Sequence, residues 1–274
     1  MKKPFLYILL FLVSANIFTF WIIFDYFYLD KGEVSFLDIG QGDAELIQTR
    51  SGNILIDAGP DMSIISALDS SLPFFDQTID LFILSHPNKD HFNGLFEVLE
   101  RYEVRAVMLN NIFYTDSQYQ KLLQKLVKKD ILIIQGVRGV KLTFKDDKLF
   151  VIYPEAMVSS REDPNKFSLV VSLDLGENYF LFLGDISASQ EKEILPLLPE
   201  KNNKSRILKV AHHGSRYSSS SEFLEKFKPH FAVIEVGNNS YSHPHLDTLS
   251  RLTQIGAEIF RTDLDGTIRF KEKK

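Results

Sequence analysis

From Gly32 onward the apolar positions of the chain fall into two rhythms. Short β-rich runs, several of them alternating apolar with polar residues, occur at EVSFLDI, AELIQT, NILIDA, DLFILS, AVMLN, ILIIQ, KLFVIY, SLVVSLDL, YFLFLGD, ILKVAH, FAVIEVG and GTIRF. A period of two buries one face of a strand. Between these runs, apolar residues three and four apart predict helices over Met62 to Ser71, His91 to Tyr102, Ser117 to Lys129, Ala188 to Leu195, Ser221 to Phe227 and His245 to Gln254. Such alternation predicts an α/β or α+β domain built in layers. The breaker-rich stretch PEAMVSSREDPNK, Pro154 to Lys166, is expected to divide it into two similar halves.

The first thirty residues follow neither rhythm. PFLYILLFLVSANIFTFWIIF, Pro4 to Phe24, contains no charge, and about 20 such residues carry a helix across a hydrocarbon core. Lys2 and Lys3 precede it, and Asp25 and Asp30 follow. The positive-inside tendency therefore predicts a single-pass protein of the cell membrane. Its amino terminus is cytoplasmic, its carboxyl-terminal part is extracytoplasmic, and Trp21, Tyr26 and Tyr28 sit at the interface. A signal peptide cut after VSA at Ala15 is the alternative. Cleavage there would leave the apolar NIFTFWIIF as the new end, so an uncleaved anchor is expected. The expected division is an anchor over residues 1–30 and a folded domain over residues 31–274.

Composition narrows the chemistry. With 45% hydrophobic and 24% charged residues the chain is globular. A formal net charge of −5 excludes a protein that coats nucleic acid through bulk positive charge. There is no cysteine, so disulfides and thiolate metal ligands are both excluded. Any bound metal must be held by histidine and carboxylate.

Six of the seven histidines lie in three tight groups at strand ends. His86, Asn88, Asp90 and His91 follow LFILS, His212 and His213 follow LKVA, and His243 and His245 follow FAVIEVGNNSYS. Asp185 ends YFLFLG and Asp57 ends NILI in the same way. Loops at the carboxyl ends of strands are where α/β sheets gather ligands. Mixed imidazole and carboxylate sets suit zinc or manganese. Each residue also has a plainer reading. Asp90 and Asp185 are possible helix caps, Asp57 a turn former before Gly59, and AHHGS a polar turn. His230, in KPHFAV, has no other candidate ligand beside it and is expected to be packed or on the surface.

These segments resemble the metallo-β-lactamase fold and, within it, the extracellular domain of ComEC-type DNA-uptake (competence) proteins. The similarity rests on FLDIGQGDAELIQTRSGNILIDAGP, LSHPNKDHFNGL, YFLFLGDI, ILKVAHHGSRYSSS, VGNNSYSHPHLDTL and RTDLDGTIRF, and extends from Glu33 to Phe270. The resemblance implies a four-layer αββα sandwich behind the transmembrane helix. It implies one metal site formed by Asp90, His91, Asp185 and one of the pair His212 and His213, with His213 favoured and Asp185 able to bridge two ions. His86 would begin a second site, where Asn88 replaces a stronger donor and only Asn165 and Ser168 stand where the wider fold has a further histidine. Asp57 would act behind the ligands by orienting an imidazole. Asp90, His212 and His243 would do the catalytic work, and Ser215, Arg216 and His245 would contact substrate.

The implied activity is metal-dependent hydrolysis of a phosphodiester, with single-stranded DNA as substrate and a separate ComEC-like channel protein as partner. The alternatives are a hydrolase of a small ester, such as a phosphorylcholine ester or a lactone, and a non-catalytic subunit of a DNA-uptake complex.

Overall fold

Two seven-stranded sheets face one another. The computed structural model describes residues 3–28, 32–110, 112, 114–144, 147–155, 163–200 and 203–272. In the first sheet the strand order is Ile268–Lys271, Glu33–Phe36, Glu45–Thr49, Gly52–Ile56, Leu81–Ile83, Ala106–Leu109, Leu132–Gln135. In the second it is Glu258–Arg261, Phe231–Ile234, Ser205–Lys209, Asn178–Phe182, Val170–Leu175, Asp147–Tyr153, Lys141–Phe144. Each sheet pairs antiparallel over one half and parallel over the other. The two layers are thus similar in construction, as the alternating pattern predicts.

Both faces of each sheet are covered, which explains why several strands read as continuous apolar runs. Phe36, Ile54, Ile83, Met108, Val171, Phe180, Phe182 and Val233 fill the space between the sheets. Outside the first sheet, Leu55, Phe82 and Val107 pack against Leu68, Leu95, Leu99 and Leu122 of helices Ser63–Ser71, Leu95–Arg101 and Ser117–Lys128. Outside the second, Leu181, Leu208 and Ala232 meet Ile194, Phe223, Phe227 and Leu252 of helices Ala188–Ile194, Ser221–Phe227 and Leu246–Gln254. The result is the expected αββα sandwich. Ahead of it runs the helix Lys3–Tyr28, whose segment Lys3–Phe24 is long and apolar enough to cross a membrane, with a mean hydropathy of 2.2.

Three sequence expectations need correction. The helix expected over His91 to Tyr102 is two, Lys89–Phe92 and Leu95–Arg101, because the Gly94 N–H donates sideways to Gly59 O at 2.9 Å. The chain changes sheets between Gln135 and Lys141, ahead of Pro154, and its final strand returns to the first sheet. The breaker-rich stretch is therefore a loop within the second sheet, and its residues 156–162 lie outside those described. Edge strands Lys141–Phe144 and Glu258–Arg261 carry no buried residue, so no strong apolar pattern announces them.

Candidate metal centre

The loops after strands Leu81–Ile83, Asn178–Phe182 and Ser205–Lys209 converge, and they bring His86, Asp90, His91, Asp185 and His213 together. Local backbone makes this possible. Gly184 adopts φ +53°, and a Cβ there would meet the Ser168 Cβ at 2.8 Å. His212 and His213 both adopt left-handed backbone, with φ 50° and 51°, and Asp57 does so with φ 53°. Such conformations cost about 1–3 kcal/mol each and persist where the surroundings dictate them, often at functional sites. Neither Asp90 nor Asp185 is a helix cap, since those positions belong to Asn88 and Ser187.

Donor atoms of four residues lie close together. His213 Nε2 lies 3.4 Å from Asp90 Oδ2 and 3.9 Å from Asp185 Oδ2. His91 Nε2 lies 3.5 Å from Asp185 Oδ2 and 3.9 Å from Asp90 Oδ1. Tetrahedral bonds to zinc separate neighbouring donors by about 3.3–3.6 Å; Asp90, His91 and His213 are close enough to share an ion, as are His86, His91 and Asp185, and Asp185 also reaches His213. The Nε2 atoms of His91 and His213 are buried and have no hydrogen-bond partner. Their other nitrogens are committed. His91 Nδ1 donates to Asp57 Oδ2 at 2.8 Å, and His213 Nδ1 donates to the Glu235 carbonyl at 2.9 Å. Holding the proton on Nδ1 leaves the Nε2 lone pair free to bind a metal. Asp57 is itself fixed by Ser85, which donates its N–H at 2.8 Å and its hydroxyl at 2.5 Å.

The electrostatics favour a cation. Burial opposes charge on His91, yet Asp185, Asp43, Asp57 and Asp90 together lift it well above the usual imidazole value. Burial likewise opposes charge on His213, but Asp43 and Asp185 raise it to about 10. Asp90 and Asp185 are held below the carboxylate range because His91 and His213 outweigh their burial. Carboxylate charge therefore exceeds what neutral imidazoles can balance, and a divalent ion fits that excess.

The second set is thinner. His86 Nε2 is buried without a partner and lies 3.8 Å from Asp185 Oδ2. Burial, followed by His91, lowers it to about 3, so it is a neutral donor. Asn88 Nδ2 donates to Asn165 Oδ1 at 2.6 Å, which leaves the neutral carbonyl oxygen of Asn88 as its donor atom. Ser168 donates to Asn165 O at 2.9 Å and accepts from the Asp185 N–H at 3.2 Å.

His212 and His243 line the open side. His212 is partly exposed, with Nε2 3.6 Å from Asp185 Oδ2, and its ring centroid is 5.4 Å from that of His243. Burial and the nearby His212 and His213 lower His243 to about 4, leaving it neutral near pH 7. Arg216 is 53% exposed and lies beside Asp247 and Tyr217. Ser215 is buried, and its hydroxyl accepts the Tyr217 N–H at 3.3 Å, closing a turn. His245 caps the helix Leu246–Gln254 by accepting the Asp247 N–H at 3.2 Å. The Ser215 hydroxyl and the His245 Nδ1 thus each accept a backbone N–H, and the His245 side chain stays 28% accessible. His230 lies on the surface, the second of the two expectations, with its Nδ1 accepting the Arg206 N–H at 3.0 Å.

A second layer of charge lies beneath the quartet, and sequence reasoning missed it. Asp43 is fully buried, with Oδ1 3.1 Å from His213 Nδ1 and Oδ2 3.5 Å from His91 Nδ1. It is paired with the equally buried Lys209, which also donates to Gly184 O at 3.3 Å. Glu45 and Glu235 complete the group, and Glu235 Oε1 accepts the Ala44 N–H at 3.0 Å. Burial, then Asp43, pushes Glu235 up to about 7, while burial and Glu235 raise Glu45. The available signal was a lone charge inside the apolar runs ILKVA and FAVIEV.

Comparison with known proteins agrees with this geometry. Residues 37–235 match the family model of the Metallo-beta-lactamase superfamily. The chain is 31% identical over 262 residues to ComE operon protein 3 of Bacillus subtilis, covering 89% of this chain and 33% of that protein. It is 27% identical to Recombination protein 2 of Haemophilus influenzae over 86% of this chain and 28% of the relative. Competence protein ComA of Neisseria gonorrhoeae is 25% identical over 88% of this chain and 32% of its own length. The chain thus spans about a third of the length of these relatives. Among solved structures, the metallo-beta-lactamase fold protein YhfI from Bacillus subtilis has a TM-score of 0.59 at 12% identity, covering 88% of this chain and 100% of its own. A diphosphatase of the PhnP family has a TM-score of 0.51 at 16% identity, covering 88% and 98%. These structures share the fold. The chain belongs to the metallo-beta-lactamase superfamily.

Proposed function

We propose that the chain is a divalent-metal-dependent phosphodiesterase that cuts DNA, tethered by its amino-terminal helix with residues 31–274 outside the cytoplasm. The observation that carries this reading is the cluster of Asp90, His91, Asp185 and His213, in which two buried, unpartnered Nε2 atoms lie against the carboxylates. Zinc or manganese suits that donor set, and Asn88, a neutral carbonyl donor where an anionic one would bind more firmly, argues for one tightly held ion. The names of the relatives, which include competence and recombination proteins, support DNA over a small ester. A separate channel protein as partner belongs to the same reading.

A bound divalent ion lowers the pKa of water from about 15.7 toward 7 and neutralises charge building on a phosphoryl oxygen. The protein supplies the rest. Asp57, and Asp43 with the Glu235 carbonyl, keep His91 and His213 in the tautomer that presents Nε2. Asp90, with 36% of its side chain accessible, stands on the open edge and orients the attacking water. His212 and His243 bind the phosphate, and the N–H of neutral His243 gives its hydrogen bond to the leaving oxygen.

The test uses full-length protein in detergent, manganese or zinc, and a single-stranded oligonucleotide beside small phosphodiesters and lactones. Cleavage of the oligonucleotide, abolished by chelation and by Asp90→Ala and Asp185→Ala, is expected. Undiminished cleavage by both variants, or turnover of the small esters alone, overturns the proposal.

A further inference from the structure

Strands Ser205–Lys209 and Phe231–Ile234 are parallel neighbours, so the loops that follow them emerge on the same edge of the second sheet. The first loop carries His212, Arg216 and Tyr217, and the second carries Asn239, Tyr241 and His243. Both tyrosines are open to solvent, Tyr217 by 73% and Tyr241 by 72%. A single exposed aromatic residue is ordinary surface. Tyr241 is held differently. Asn239 Oδ1 accepts the N–H groups of Tyr241 and His243, both at 3.0 Å, and its amide donates to the carbonyls of Gly237 and His243, both at 2.9 Å. The Tyr241 ring lies 5.8 Å from the His243 ring with planes 31° apart, and His243 lies 5.4 Å from His212. A file of rings runs from His212 through His243 to Tyr241, whose backbone is anchored by Asn239. On the neighbouring loop the Arg216 guanidinium lies 5.8 Å from the Tyr217 ring centroid.

We propose that Tyr241 is a stacking platform for an unpaired nucleobase beside the phosphate at the metal centre, with Arg216 and Tyr217 supporting the same strand, so that the substrate is single-stranded DNA. This rests on the phosphodiesterase reading above and names its substrate class. A net charge of −5 gives no general attraction for a polyanion, so contacts to the bases would add to the local hold that His212 and His243 give the phosphate. Stacking supplies such contacts without sequence preference, because every base has a π face. In a duplex those faces are covered by neighbouring bases, and the platform then has nothing to grip.

The test compares a short labelled oligothymidylate with its abasic counterpart, using full-length protein in detergent. Binding is read by fluorescence anisotropy in EDTA and cleavage is read separately with manganese. Wild-type protein is expected to prefer the base-bearing strand. Tyr241→Ala is expected to shrink that preference roughly 5- to 150-fold, and Tyr241→Trp to keep it. A preference untouched by Tyr241→Ala, or equal binding of the two strands by wild-type protein, overturns the platform. Cleavage of both strands alike overturns the platform and leaves the phosphodiesterase reading standing. A Tyr241-dependent binding preference without any cleavage overturns the phosphodiesterase reading and leaves the platform.

Discussion

Replacing Lys209 with methionine removes, among the described residues, the one basic side chain in contact with the buried Asp43 other than His91 and His213. Methionine retains most of the volume, so the expected loss is electrostatic. Breaking one side of a buried ion pair costs about 3–5 kcal/mol, because the remaining charge has neither water nor partner. Here the remaining charge also faces Glu45 and Glu235, both buried. At about 2–4 °C per kcal/mol for a domain of this size, the melting temperature should fall by roughly 6–20 °C. The deficit has a pH signature. Unpaired, Asp43 would titrate above its unfolded value of about 3.9, so the deficit is largest near neutrality and shrinks as pH falls. Adding Asp43→Asn should restore part of the loss, giving a coupling energy in the double-mutant cycle. Thermal melts followed by circular dichroism across pH provide the measurement. A fall of less than about 2 °C, or losses that simply add in the double variant, would refute the claim that this pair is electrostatically coupled.

Asp57→Asn removes the carboxylate that fixes His91 Nδ1, and metal affinity should fall about 10- to 100-fold by calorimetric titration, with the fold retained. Glu235→Gln should flatten the pH dependence of stability. The folded pKa of about 7 lies above the ordinary 4.5, so the stability present below 4.5 is lost as pH rises toward 7, by roughly 3 kcal/mol at most; an unchanged slope in the variant would contradict this. Asn88→Asp together with Asn165→His replaces the amide pair with two ligands, and elemental analysis should rise from one ion per chain toward two. A wild-type protein that already retains two ions would count against the one-ion reading.

Histidines and aspartates at strand ends announced the metal centre because several chain segments can aim side chains at one point only there. Direction was harder to read than position. Ser215 and His245 stand close in sequence to His213 and His243, yet their side chains are taken by the N–H groups of Tyr217 and Asp247. Backbone needs local to a turn decided those rotamers, and spacing does not reveal them. The strands were legible from alternation, but alternation does not say which sheet a strand joins. That is why the change of sheet before Lys141 was placed too late.

The buried charges were invisible for a related reason. Asp43 precedes the strand Glu45–Thr49 of the first sheet, while Lys209 ends a strand of the second and Glu235 follows its neighbour there. Each looks anomalous alone, and the partner that resolves it sits in the opposite layer. A charge in the middle of an apolar run implies a buried partner, and here that partner joins the two sheets directly behind the imidazoles. The ion pair therefore links packing to chemistry. It neutralises Asp43 enough to be buried, and Asp43 in turn lies against Nδ1 of both His91 and His213. A shift of one sheet against the other would disturb both imidazoles together, so the rigidity of the metal centre is a property of how the layers meet.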